Sequence, residues 1–378
     1  MDITEYSTIQ GWKAEVAAAK DLFIEGIPKI ELHVHVEGTM TASLRWRLAQ
    51  RNKLSIHSSS RNKTYSSLEE LSADYNLLNP QQPRSTTGSK KISAFFDAYY
   101  GSMDVLRTEE DFYDLAMDQF TRASKMNVRY CEVFFDPQAH TRRGIDWAIF
   151  MSGLRRASLQ AKEELNIKSQ YIMCFLRDAP LVEATQHYEA ALAYRDMIVG
   201  IGLDSNEYDR PPSLFYELFT RARADGFKIT AHCDVTQKDC HEHIRQVLCS
   251  LGGSGADRCD HGLDAADQPE LMALARQKQT AFTICPWAYV RHVPAPVLFE
   301  SIRILVREGV RVTISSDSPA YMEEQWIEQN LKLARLRCGF TDEELLSLQK
   351  NAVGACWASE QVKREMMDEL EAFYASSR

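Results

Sequence analysis

Eight short runs of β-branched and apolar residues recur along the chain, each separated from the next by a longer stretch with helical spacing. They are Lys29–Val36, Arg129–Asp136, Tyr171–Asp178, Ile198–Asp204, Lys228–Asp234, Asp257–Gly262, Thr280–Pro286 and Arg311–Asp317. Between them, Glu109–Lys125, Asp146–Leu165, Ser213–Ala224, Gln268–Gln277 and Pro296–Arg307 place apolar residues three and four apart, the signature of an amphipathic helix. Thr108 with Asp111, and Thr341 with Glu344, read as capping-box helix starts. Hairpin signals are nearly absent, so the runs are expected to pair in parallel through helical crossovers. A closed (β/α)8 barrel, with extra N- and C-terminal helices, is the economical α/β solution. An open doubly wound sheet is the alternative.

The 378 residues exceed the roughly 250 of a bare barrel. The surplus lies in an N-terminal helix, a polar stretch from Asn52 to Lys91, and a tail from Glu323 onward that is nearly all helical pattern. Asn79–Lys91 reads as a surface loop and the tail as helices packed on the barrel. Residues 1–378 are therefore expected to form one barrel domain. A net charge of −9 argues against capture of a nucleic-acid polymer through its phosphates. The polar N-terminus has no signal-peptide layout, and no apolar run approaches a membrane span. Nine scattered cysteines suit reduced, buried thiols, and the cytoplasm is the expected compartment.

The chemistry-bearing residues fall at the ends of the runs. His33 and His35 are two apart on the first, so their rings project the same way. His232 and Asp234 close the fifth run, His261 the sixth and Asp317 the eighth. In a barrel these C-terminal strand ends meet at one mouth, where catalytic groups gather. Three histidines and an aspartate there can hold zinc or another borderline divalent ion with a place left for water. His261 and Asp317 are candidates for holding and deprotonating that water, and Asp234 is the candidate acid for a nitrogen leaving group. A second pair, His241 and His243, lies on a helical stretch and reads as a solvated face. Cys233, Cys240, His241 and His243 match no standard zinc spacing. Tyr99, Tyr100, Trp287 and Tyr289 either line a planar-ligand pocket or belong to the core.

The segment Pro28–Thr39, PKIELHVHVEGT, resembles the opening motif of the adenosine/adenine deaminase family of metal-dependent barrels. Gly202–Ser205 with Pro211-Pro212, Tyr99–Phe112, Phe134–Pro137 and Ser316–Tyr321 are similar to the adenine deaminase branch. The likeness runs from about residue 25 to 350. It implies the barrel fold, with His33, His35, His232 and Asp317 as ligands of one zinc ion and His261 as the catalytic histidine. It places Glu37, Ser205 and Ser318 on the substrate side. The implied reaction is attack by a metal-activated water on the amine-bearing carbon of a small heterocycle, with loss of ammonia.

Two positions depart from that pattern. The family reads His-Ala-Gly-Glu after the fifth strand, whereas here Cys233, Asp234 and Val235 follow His232, so Val235 stands where the proton-donating Glu is expected. Ser318 stands where the family has a second Asp, and a hydroxyl can both donate and accept. The metal half is intact and the substrate half is altered. The leading expectation is a zinc-dependent deaminase of adenine or a related amino-heterocycle. The alternatives are hydrolysis of another C–N or amide bond in a non-purine small molecule, or an inactive ligand-binding relative.

Overall fold

A computed structural model describes residues 4–58, 62–75 and 94–377. Eight parallel strands close into a barrel: Lys29–His35, Val128–Phe135, Lys168–Leu176, Ile198–Asp204, the pair of segments Lys228–Ile229 and His232–Cys233, Arg258–His261, Ala281–Ile284 and Val312–Ile314. They are called barrel strands one to eight here. Strands one to four pair in sequence order and strand four pairs with Lys228–Ile229; His232–Cys233 then pairs with strand six, and strands six to eight continue in order. Strand five changes partner at its middle. The amide of Thr230 donates to Ile201 O (3.1 Å) on one side, and the amide of Asp260 to Ala231 O (2.9 Å) on the other. The seam closes between strands one and eight, where His35 N–H donates to Asp317 O (3.0 Å) and Asp317 N–H donates to His33 O (2.9 Å). Closure rules out the open doubly wound sheet.

Strands covered on both faces are buried at every position, and all seven residues of strand one are. The period of two nevertheless separates the faces. Ile30, Leu32 and Val34 alternate with Glu31, His33 and His35, whose polar atoms meet partners from strands seven and eight and the loops beyond. The lumen is thus polar. Toward the other end of the barrel, Arg258 of strand six and Glu132 of strand two form a fully buried ion pair.

The expected helices are present, among them Glu109–Lys125, Trp147–Glu164, Pro269–Lys278 and Ala295–Arg307, and both capping boxes form. One helix begins later than its periodicity suggests. Pro212–Phe215 is a 3-10 turn and the α-helix is Tyr216–Ala224. Of the tail, Asp342–Ala355 packs on strands eight and one, Ile327–Cys338 packs on the N-terminal helix Tyr6–Ala18, and Glu360–Ser376 covers Asp342–Ala355. The expected loop Asn79–Lys91 lies outside the described residues.

Candidate active site

The histidines converge at the mouth. His35 Nε2 is 3.1 Å from His232 Nε2 and 3.6 Å from Asp317 Oδ1, while His33 Nε2 is 3.8 Å from that same oxygen. His33, His35 and Asp317 form one group whose ligand atoms lie within 4.8 Å of one another; His33, His232 and His261 form another.

What stands behind each imidazole explains which nitrogen points inward. Thr283 O–H donates to Asp260 Oδ1 (3.0 Å), so its oxygen is left to accept from His33 Nδ1 (2.8 Å). His33 therefore carries its proton on Nδ1 and turns the Nε2 lone pair to the mouth, where that buried atom has no protein hydrogen bond. Asp260 Oδ2 also lies 3.6 Å from His232 Nδ1, and Asp204 Oδ2 lies 3.7 Å from His35 Nδ1. A carboxylate behind a ligating imidazole is the usual device for orienting it and raising its basicity. On this ground the cluster of His35, Asp136 and Asp204 is the support of the first site, although its spacing alone would admit a second ion.

Burial governs the charge states. It drives the imidazole of His35 down to about 3, with His261 adding to the effect, and holds His33 and His232 well below the usual histidine range. Neutral imidazoles are the form that binds metal. Burial raises Asp317 to about 6, opposed by His261. Burial and then the neighbouring Glu207 raise Asp234 to about 7. The donor set of three neutral nitrogens and one carboxylate oxygen fits zinc or a similar borderline ion, and the orphaned His33 Nε2 fits a ligand atom awaiting one.

The remaining candidates occupy defined places. Asp234 follows the last residue of strand five; its amide donates to Glu207 Oε1 (2.8 Å), and its own Oδ1 accepts from Val235 N (2.7 Å). Val235 is buried and apolar. Ser205 accepts from Tyr100 O–H (2.9 Å), and buried Ser318 donates to Asp317 Oδ1 (3.2 Å). Glu37 is fully buried; its Oε1 accepts from the Asp136 amide (3.1 Å) and bonds His140 Nε2 (2.8 Å), and Tyr99 O–H reaches its Oε2 (3.4 Å). Ser205, His261 and Asp317 all have left-handed backbone, with φ of 71°, 62° and 63°. This is uncommon outside glycine, and such residues gather at functional sites.

Sequence reasoning missed several supports. Asp260 was visible only as the neighbour of His261, yet it serves His33 through Thr283 and stands behind His232. Glu207 bonds Asp234 and also lies 3.3 Å from Arg177 and 3.4 Å from His243. His243 is therefore buried rather than part of a solvated face, while half-exposed His241 pairs with Asp267 (2.8 Å). Trp287 belongs to the core, its indole N–H donating to Gln329 O (3.1 Å). Tyr289 Oη sits 2.8 Å from His261 Nδ1.

A parallel barrel whose strand ends bring together imidazoles and carboxylates in this way defines a metal-dependent hydrolase of the amidohydrolase type. The chain belongs to the adenosine deaminase family, whose model matches residues 28–373. It is 40% identical over 351 residues to an uncharacterized deaminase of Schizosaccharomyces pombe, covering 93% of this chain and 97% of that one. It is 36% identical over 348 residues to an adenine deaminase of Acinetobacter baylyi, covering 92% and 97%. The crystal structure of adenine deaminase from Arthrobacter aurescens superposes with a TM-score of 0.81 at 29% identity, covering 93% of this chain and all of that one. The chain is thus a hydrolytic deaminase acting on C–N bonds other than peptide bonds, of a family that uses a metal.

Proposed function

We propose that this chain is a zinc-dependent deaminase that releases ammonia from adenine or a closely related 6-aminopurine, working as a single barrel unit in the cytoplasm. The observation that supports the reading is the grouping of His33, His35 and Asp317, with His232 Nε2 3.1 Å from His35 Nε2 and each histidine's outer nitrogen facing a hydroxyl or carboxylate. The adenine deaminases among its relatives support the substrate. Nine cysteines without a disulfide support the compartment. No helix among the described residues is long and apolar enough to cross a membrane.

His33, His35, His232 and Asp317 would hold the ion, which when bound lowers the pKa of a water toward neutrality. Asp317 accepts the water's proton and His261 holds its oxygen over the amine-bearing carbon. Asp234, kept near neutrality by burial and Glu207, gives its proton to the adjacent ring nitrogen. With that nitrogen protonated, the adjacent ring carbon accepts the hydroxyl oxygen. Asp317 then passes the proton it took from water to the amine, which departs as ammonia, and the hydroxyl's own proton returns to Asp234 as the carbonyl forms. Asp234 thereby takes the place of the family's Glu, since Val235 has no proton to give. Ser205, Ser318 and Glu37 form the substrate side, Glu37 acting through Tyr99 and Asp136.

The test is ammonia release by zinc-loaded protein from adenine and its N6-substituted forms, with Asp234→Asn alongside. Turnover of one of these, reduced on the order of 100-fold or more by Asp234→Asn, is expected. No turnover of any 6-aminopurine by protein holding one zinc per chain would refute the substrate. Unchanged turnover in Asp234→Asn would refute the acid.

A further inference from the structure

Tyr289 closes the short helix Pro286–Tyr289 that follows strand seven, and its side chain is fully buried. Its oxygen has two partners. The amide of Cys285 donates to it at 2.9 Å, and His261 Nδ1 lies 2.8 Å away. Its ring stands nearly perpendicular to the imidazole, at 73° and 5.5 Å between centroids. The same imidazole packs against His33 and His232, with centroids at 4.6 Å and 5.1 Å. His261, the last residue of strand six, thus has the proposed ligands and one phenol as neighbours, on a backbone with a left-handed φ of 62°.

The direction of that hydrogen bond follows from counting donors. A phenol has one hydrogen, and a backbone N–H can only donate. With Cys285 N–H already spending one acceptor position of the oxygen, the phenol hydrogen has a single acceptor within reach among the described residues, His261 Nδ1. Left without it, a buried hydroxyl would forfeit a hydrogen bond at a cost the fold has no reason to bear. Burial also holds this phenol well above its ordinary range, so the hydrogen stays on oxygen. A neutral imidazole that accepts at Nδ1 carries its proton on Nε2.

We infer that Tyr289 is a positioning residue that fixes His261 as the Nε2–H tautomer, so that this histidine meets the reacting oxygen as a hydrogen-bond donor and leaves Asp317 as the group that takes the water's proton. The inference rests on the proposed hydrolytic site for the identity of that oxygen, but the tautomer stands independently of any substrate. It also divides work that sequence alone left shared between His261 and Asp317. An imidazole with its proton on Nε2 cannot accept another there, whereas the Asp317 carboxylate is an acceptor.

The experiment is nitrogen NMR of 15N-histidine-labelled holoprotein, with His261 assigned by loss of its signals in His261→Gln. Wild type should show a protonated Nε2 and an acceptor-type Nδ1. Tyr289→Phe keeps the ring and removes the hydroxyl, and should move His261 toward mixed tautomers with zinc content unchanged. On a turned-over 6-aminopurine, Tyr289→Phe should lower kcat by about 10-fold or more with KM little altered, the size of other lost supports behind a catalytic imidazole. Tyr171→Phe is the control. It removes a buried hydroxyl that donates to Leu154 O (3.2 Å) in the barrel wall, and should leave kcat unchanged. An Nδ1–H signal in wild type, or an unchanged His261 spectrum in Tyr289→Phe, overturns the assignment. A missing substrate would fault the proposed reaction while the spectrum still decides the tautomer.

Discussion

Lys29 opens strand one with no exposed surface, and the one hydrogen bond of its ammonium is to Ile27 O at 3.1 Å. Burial, the largest influence, lowers it from 10.5 to about 7, with Glu328 opposing. Between those two values the unfolded chain binds the proton and the folded chain does not, so stability rises with pH across the window. Below pH 7 the folded protein must carry the buried charge, and the penalty is present in full. A shift of this size corresponds to about 5 kcal/mol at 1.36 kcal/mol per unit. Lys29→Met keeps the length of the stem and removes the charge. It should stabilise the protein most at pH 6, by up to that amount less the roughly 1 kcal/mol of the lost hydrogen bond. The advantage should shrink steadily toward pH 10. Denaturant midpoints of both proteins at pH 6, 7.5, 9 and 10 measure it. An advantage of the same size at every pH, or none at pH 6, would refute the burial of Lys29 as a titrating cation.

Two further outcomes follow from the mouth itself. A β-carbon added at Gly38 would lie 2.5 Å from Ser318 Oγ and 2.8 Å from Ser318 Cα, so Gly38→Ala must push strand ends one and eight apart; about 1–3 kcal/mol of stability and part of the bound zinc should be lost, read by thermal denaturation and metal analysis. Burial holds the imidazoles of the proposed ligands His33, His35 and His232 below the usual histidine range, whereas it raises Asp317 to about 6. Zinc affinity should therefore fall tenfold per pH unit below pH 6, one proton per ion, and a slope of two or three protons between pH 5 and 6 would contradict the assigned charge states.

The barrel was legible because its strands are buried on both faces and its helices on one, which leaves two different periodicities in the sequence. All eight runs became strands, with ends displaced by a few residues. The candidate site was legible where its residues sit at the strand ends, as with His33, His35, His232, His261 and Asp317. The supports were not, because they are contacts between distant segments. Nothing local to Tyr289 announces His261, 28 positions earlier, and nothing local to His243 announces Glu207, 36 positions away. Both are apposed only once loops after different strands share a rim. His243 shows the limit of the argument from spacing. Helical divergence of i and i+2 correctly separated it from His241, yet could not say that its face turned inward.

The seam between strands one and eight has a consequence for how the protein is made. Asp317 both supplies a carboxylate to the mouth and forms, through its own amide and carbonyl, the bonds that close the barrel onto His33 and His35. Strand one leaves the ribosome well before strand eight. The nascent chain therefore carries His33 and His35 long before Asp317, the carboxylate of the proposed cradle, arrives with the last stave of the cylinder. On the proposed ligand set, ring closure is also what completes the cradle, and an ion held there would tie the two ends of the barrel together.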